Sequence, residues 1–388
     1  MNVPKIRFKD FNDDYIRKNL KDVFSFHRGN TLSKADLAEN GNNKCILYGE
    51  LYTKYSAIAN TIYSRTNNNN KNLVYGKKYD VLIPCSGETA LDISTTTCLQ
   101  DDNVIIGGDL TILRPLTDFG NYLSYYLYHK KKIEIAKYAQ GDSVVHLYAD
   151  KIKNLSLNLP TYEEQKKVSQ VLELLDKKIE LQTKKIEDLK LFKKGLNYKI
   201  FSNCNDECNL NDILIEYNKK TKVNNEYEVL SSTANGIYLQ NEYFNKQAAS
   251  QDTTGYKILP RGYVTYRSMS DTGDFHFNEQ CIVDYGIVSP AYPVFKIDET
   301  KVNKSYLLYY MNENKDFINR ILSTKEGGTR FALSYSKLLS LKVKLPSINE
   351  QNRYALLIFK VNKKIEYENK RLFQLNVLKK GLMQNMFV

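Results

Sequence analysis

Leu159-Pro160-Thr161-Tyr162-Glu163-Glu164-Gln165 returns 186 residues later as Leu345-Pro346-Ser347-Ile348-Asn349-Glu350-Gln351. The echo continues. Lys177-Lys178-Ile179-Glu180 becomes Lys363-Lys364-Ile365-Glu366, and Lys193-Lys194-Gly195-Leu196 becomes Lys379-Lys380-Gly381-Leu382, at the same offset of 186. A constant offset means that no gap interrupts the repeat. A period this long marks a duplicated half-molecule rather than a solenoid unit.

Both copies read as long helices, over residues 161–203 and 347–388. Pro160 and Pro346 precede them, where a missing N–H costs little. Thr161 and Ser347 are good N-cap residues, and Glu164 and Glu350 follow three places on, which predicts a capping box in each copy. Apolar residues then recur at alternating spacings of four and three. The first seam is Val168, Leu172, Leu175, Ile179, Ile186, Leu189 and Leu196; the second is Ile358, Val361, Ile365, Leu372, Leu375 and Leu382. A mean period of about 3.5 argues for a coiled coil. Polar breaks fall at matching places, Gln182 with Glu368 and Lys193 with Lys379, as suits two helices paired in one register. Roughly 40 residues at 1.5 Å each give a rod of about 60 Å.

About 145 residues separate the two helices, enough for one compact domain whose ends lie close together. The end of the first helix and the start of the second therefore meet, and the helices are expected to run antiparallel. This predicts an α+β dumbbell with pseudo-two-fold symmetry: α/β domains at 1–160 and 204–346, joined by the two helices. The chain has 388 residues, 42% hydrophobic and 26% charged, ordinary values for a folded multidomain protein. Its net charge of +12 fits a polyanionic partner. No apolar run is long enough to span a membrane, and residues 1–10 carry no signal core, so a cytoplasmic location is expected. Six scattered cysteines, with only Cys204 and Cys208 close, read as reduced thiols rather than a zinc site.

The domains echo each other as well. Leu20-Lys21-Asp22-Val23-Phe24 matches Leu210-Asn211-Asp212-Ile213-Leu214 as a short helical entry. Tyr79-Asp80-Val81-Leu82-Ile83 matches Tyr263-Val264-Thr265-Tyr266 as a strand, and Val104-Ile105-Ile106 matches Gly286-Ile287-Val288. Tyr122-Leu123-Ser124-Tyr125-Tyr126 matches Tyr306-Leu307-Leu308-Tyr309-Tyr310, each opening a helix. The offsets drift between 184 and 190, which places small insertions in loops; the asparagine run in 66–72 reads as one exposed loop. The loops differ where the scaffold agrees. Pro84-Cys85-Ser86 stands where the second domain has Arg267-Ser268-Met269, and Ser143-Val144-Val145-His146 stands against Thr329-Arg330-Phe331-Ala332. Arg267 and Arg330 suit bidentate contact with guanine or contact with phosphate.

Catalytic motifs are missing. There is no glycine-rich dinucleotide fingerprint, since Gly107-Gly108 is only a turn, and no phosphate-binding loop. The four histidines, His27, His129, His146 and His276, are dispersed. No Asn-Pro-Pro-Tyr or Asp-Pro-Pro-Tyr of amino-methyltransferases occurs, and Ser86-Gly87 is not a nucleophile elbow. His146, after two valines, reads as a structural histidine. Most of the 30 tyrosines read as core residues with wet edges.

On the doubled Leu-Pro-x-x-x-Glu-Gln, Lys-Lys-Ile-Glu and Lys-Lys-Gly-Leu, together with Ile106-Gly107-Gly108-Asp109, Gln140-Gly141-Asp142-Ser143-Val144-Val145 and Asp284-Tyr285-Gly286-Ile287-Val288-Ser289-Pro290, the whole chain resembles the specificity subunit of type I restriction–modification systems. The resemblance implies two target recognition domains, each reading half of a bipartite double-stranded DNA sequence. It implies a subunit without catalytic residues or bound cofactor, whose helices hold the half-sites apart and dock two methyltransferase subunits. Those partners bind S-adenosylmethionine and methylate adenine N6; restriction and translocase subunits then join, with Mg and ATP. In the first domain the residues expected to meet DNA are Arg28, Lys34, Ser86, Thr89 and Ser143. In the second they are Lys219, Lys220, Arg267, Ser268, Lys325, Thr329 and Arg330. Two other readings stay open. A non-catalytic coiled-coil scaffold joining two interaction modules would bind no specific DNA, and a fused methyltransferase–nuclease would bind S-adenosylmethionine itself.

Overall fold

The computed structural model describes residues 3–142, 144–202, 206–243, 252–323 and 331–388. The chain divides into two compact units, Met1–Lys184 with Lys370–Val388, and Lys185–Asn369. Both long helices are present, Tyr162–Ser202 and Ile348–Asn385. Each unit holds a part of both.

In the first unit a five-stranded sheet runs in the order Phe24–Arg28, Leu110–Pro115, Val81–Pro84, Thr97–Leu99, Ile58–Ala59. All of its neighbours are antiparallel except the last pair. A four-stranded sheet follows the order Ser64–Thr66, Asn43–Ile46, Val104–Ile106, Tyr75–Gly76, with antiparallel, parallel and antiparallel pairings. The second unit repeats this plan. One sheet runs Leu214–Glu216, Val294–Ile297, Val264–Thr265, Asn278–Glu279, all antiparallel. The other runs Gly236–Leu239, Glu228–Thr233, Tyr285–Val288, Lys257–Pro260, again antiparallel, parallel, antiparallel. The strand Val104–Ile106, matched in the sequence to Gly286-Ile287-Val288, therefore has the same parallel partner position as Tyr285–Val288. Val104, Ile105 and Ile106 are all buried, which is why that strand reads as an unbroken apolar run rather than an alternating one.

Each long helix is entered from an antiparallel ribbon, Ile16–Asn19 with Ser156–Leu159 in the first unit and Asp206–Asn209 with Lys342–Leu345 in the second. Gln165 and Gln351 then make the same two contacts. Each donates to the carbonyl of the preceding proline (Pro160, 3.0 Å; Pro346, 2.8 Å) and accepts a backbone N–H, from Phe119 at 2.8 Å and from Asn303 at 2.9 Å.

The expected pair of capping boxes is only half present. Ser347 and Glu350 form one, with Ser347 N–H donating to the Glu350 carboxylate at 3.1 Å and Glu350 N–H to Ser347 Oγ at 3.4 Å. Glu164 instead binds Arg7 through two hydrogen bonds of 2.9 and 2.8 Å and accepts from the Tyr15 hydroxyl at 3.2 Å. A guanidinium fork presents two parallel charged donors and outcompetes a single backbone N–H.

The seam residues bury or half-bury within each unit. Val168 and Leu172 share one core with Met383, Met386 and Phe387; Ile200 shares another with Tyr354 and Ile358, and Leu196 packs against it. In the first unit Asp176 faces Lys379 at 2.5 Å. Earlier on the same helix, Glu164 is held by Arg7, whose neighbour Ile6 donates to the Asn385 carbonyl at 2.9 Å. The two helix segments of that unit therefore run antiparallel. In the second unit Lys185 meets Glu368 at 2.8 Å, and Glu368, fully buried, also takes Lys364 at 2.9 Å. At Glu368 and Lys379 the polar breaks are thus paired charges rather than gaps in the packing.

Candidate nucleic-acid interface

Each unit carries a two-stranded ribbon that helps line a polar cleft. In the first unit Ser86–Gly87 pairs with Val145–His146; in the second Met269–Ser270 pairs with Phe331–Ala332. The same backbone bond anchors both ribbons: Leu147 N–H donates to the Cys85 carbonyl and Leu333 N–H to the Ser268 carbonyl, each at 2.9 Å. Pro84-Cys85-Ser86 and Arg267-Ser268-Met269 therefore occupy equivalent places, as the sequence match implied.

The first cleft, about 470 Å³, is lined by His27, Arg28, Ser86, Asp109, His146 and Tyr148 among others. Most of its polar groups are already engaged. Ser86 is buried, with its hydroxyl on His146 Nδ1 at 3.1 Å, so His146 is a satisfied histidine. Cys85 Sγ meets Thr111 Oγ1 at 3.1 Å, and burial pushes the Cys85 thiol up, so the sulfur stays protonated. Lys153 pairs with Asp150. Arg28 and Asp109 face each other at 3.6 Å, beyond hydrogen-bond distance. The second cleft, about 280 Å³, is lined by Ser232, Thr233, Arg267, Ser270, Asp271 and His276 among others. Its arginine stands where the first unit has Pro84.

The other expected contacts are spread out. Lys34 is exposed on the short helix Lys34–Asp36. Thr89 caps the helix Ala90–Ile93, and its hydroxyl donates to Asp92 at 2.6 Å. Lys219 and Lys220 are exposed, and the Lys219 ammonium lies 5.9 Å from the centre of the Tyr217 ring. Ser268 contributes its carbonyl to the ribbon. Ser143, Lys325, Thr329 and Arg330, like Cys204, lie outside the described residues. The sequence reading missed Asp109, Tyr148, Asp271 and His276. The one available signal was Asp109, the first residue after the Gly107-Gly108 turn.

Neither cleft is basic. The first balances Arg28 and Lys153 against Asp109 and Asp150; the second sets Arg267 against Asp271 and Asp274. Mixed donors and acceptors at the end of a sheet suit base edges, which offer both kinds of group, better than phosphate, which offers acceptors alone. Among the described residues there is no cluster of metal ligands, the five cysteines are free, and no helix is long and apolar enough to cross a membrane.

The family model for the type I restriction modification DNA specificity domain matches residues 12–191 and again 202–377. A Methanocaldococcus jannaschii protein assigned as the specificity subunit of the type I restriction enzyme MjaX is 25% identical over 311 residues, 71% of this chain and 70% of that one. The crystal structure of a type I restriction–modification S subunit from M. genitalium aligns with a TM-score of 0.63 at 16% identity, over 100% of this chain and 99% of that one. A chain from a structural study of complex assembly and conformational transition in the type I system aligns at 0.52 and 12%, over 97% and 98%. At such identities the structural likeness speaks for the fold.

Proposed function

The chain belongs to the type I restriction modification DNA specificity family, and on that premise we propose that it reads a two-part double-stranded DNA sequence, one half with each unit, and directs adenine N6 methylation and restriction by partner subunits in the cytoplasm. The observation that carries this is the pair of equivalent clefts, alike in backbone and unlike in side chains. One scaffold used twice with different polar linings is what reading two different half-sites requires. The long helices, 41 and 38 residues, set the unread spacer between the halves. Lys34, Lys219 and Lys220, exposed and not among the residues that line the clefts, supply the salt-dependent phosphate attraction that the near-neutral clefts lack.

The helices also carry apolar side chains that their own pairing leaves in water. They include Leu174, Leu181, Phe373 and Leu378 in the first unit and Leu191, Phe192, Leu356 and Phe359 in the second. Exposed Leu and Phe in rows along a helix fit docking of partner helices, here two methyltransferase subunits. S-adenosylmethionine, Mg and ATP belong on the partners in this reading.

The test is to express the chain with its genomic neighbours and map N6-methyladenine across the host genome. The expected result is a split motif with a fixed gap, lost when this gene is deleted. Methylation indifferent to the deletion overturns the reading and favours a scaffold. S-adenosylmethionine bound by the isolated chain would favour a fused enzyme instead.

A further inference from the structure

We infer that Arg28 and Asp109 act as one donor–acceptor couple that reads a single G·C base pair in the half-site taken by the first unit; this rests on the DNA-reading role proposed above. Arg28 is the last residue of the strand Phe24–Arg28, and Asp109 is the turn residue just before its antiparallel partner Leu110–Pro115; both line the cleft. Their approach is built into the backbone. Gly29 N–H donates to the Leu110 carbonyl at 2.9 Å, and Cys85 N–H to the Asp109 carbonyl at 2.7 Å. At Gly29 there is no room for a Cβ against the Gly107 carbonyl, so the residue after Arg28 is pressed onto the turn that leads into Asp109. Asp109 itself holds a left-handed backbone at φ 57°, a conformation that carries strain for a residue with a side chain.

The chemistry of the pair is unfinished. Arg28 Nη2 and Asp109 Oδ1 are 3.6 Å apart, too far for a hydrogen bond, and among the described residues neither side chain makes one. The guanidinium is three-quarters exposed and the carboxylate nearly half. Their neighbours in the cleft, Ser86 with His146, Cys85 with Thr111 and Asp150 with Lys153, are already matched to each other. What remains is a two-pronged donor beside an acceptor.

A G·C pair offers the complement. Along its major-groove edge lie guanine N7 and O6, both acceptors, and then the donor N4 amine of cytosine. O6 and N4 share one Watson–Crick hydrogen bond and are therefore about 3 Å apart, close to the separation of Arg28 from Asp109. Arg28 fits N7 and O6 as a fork, and Asp109 accepts from N4. An A·T pair would set its amine against the arginine, and a reversed pair would set the amine at the wrong end. The second unit lacks the couple. Its cleft holds Arg267 instead, so the two halves read different sequences.

The test selects DNA from a randomised library with the full chain bound to its modification partner, using the wild type, Arg28→Ala and Asp109→Ala. Arg28 is exposed and Asp109 partly so, and the second half-site serves as internal control for folding. The expected result is that one G·C preference in the first half-site falls about tenfold or more in both variants, with every other position and the spacer unchanged. A two-part motif left unaltered by both variants overturns the inference and leaves the DNA-reading role standing. So does a uniform loss of affinity across all sequences, the mark of a phosphate contact. A wild type that selects no two-part motif overturns the DNA-reading role and this inference with it.

Discussion

Arg7 closes on Glu164 with two hydrogen bonds of 2.9 and 2.8 Å, joining residues 157 apart in sequence. Glu350, the repeat partner of Glu164, does local work as a cap for its own helix. Glu164 is 1% exposed, so its loss would leave the guanidinium with only the Asp13 carbonyl and the Tyr15 hydroxyl without this acceptor. Glu164→Ala is expected to destabilise the first unit by about 3 kcal/mol, the range for breaking a buried charged pair. Glu350→Ala should cost about 1 kcal/mol, as for a lost cap. Urea unfolding of the two variants side by side checks this; equal losses would show the two sites to be energetically alike.

Phe387 anchors the end of the second helix in the first unit. Its ring lies 5.2 Å from Tyr122 and 5.5 Å from Tyr126, and it is 2% exposed. Phe387→Ala should destabilise that unit by about 3–5 kcal/mol. The unfolding transition of the second unit should not move, and fluorescence of tyrosines replaced one unit at a time would separate the two.

Gln165 and Gln351 each close the same pair of backbone groups, and both are buried. Alanine at either leaves an N–H without a partner, with an expected cost of about 1–3 kcal/mol. The two costs should add within about 0.5 kcal/mol in the double variant, since the sites lie in different units and share no partner. Thermal unfolding of the single and double variants would reveal any departure from additivity.

Lys379 and Lys193 are repeat partners with different anions. Lys379 meets Asp176 at 2.5 Å and Lys193 meets Glu313 at 3.4 Å. The Asp176 carboxylate also accepts from the Tyr125 hydroxyl at 2.7 Å. A double-mutant cycle is expected to give a coupling of about 1–2 kcal/mol for Lys379 with Asp176 and under about 0.5 kcal/mol for Lys193 with Glu313. Comparable couplings would mean that the tyrosine bond adds nothing.

Beside that pair, burial and then the Lys379 ammonium push the His129 imidazole down to about 4, against the pull of Asp176. A depressed histidine binds its proton more readily in the unfolded chain. Stability from this group is therefore complete above about 6.5, the ordinary histidine value, and is lost as pH falls towards 4. His129 is nonetheless exposed to solvent, which holds the loss to about 1 kcal/mol or less. His129→Gln should flatten the stability curve between pH 4 and 6.5, and an unchanged slope would assign the acid sensitivity elsewhere.

The sequence by itself determined the duplication, the two helices and their seam. Each is written in a local code: a period near 3.5, a proline before each helix, apolar residues that bury on one face. The strand matches between the domains were legible for the same reason, since Val104-Ile105-Ile106 and Gly286-Ile287-Val288 carry their burial in their composition. Tertiary structure alone decided which polar group answers which. Glu164 looked like a cap and went to Arg7. Ser86 looked free and is held by His146. Arg28 and Asp109 share no spacing that a reader of the chain would notice, and only the packing of two strand ends against Gly29 and Gly107 brings them together. Hydrophobic pattern is local and repeats. A side-chain hydrogen bond depends on where distant strands happen to end, and that is fixed only when the sheet closes.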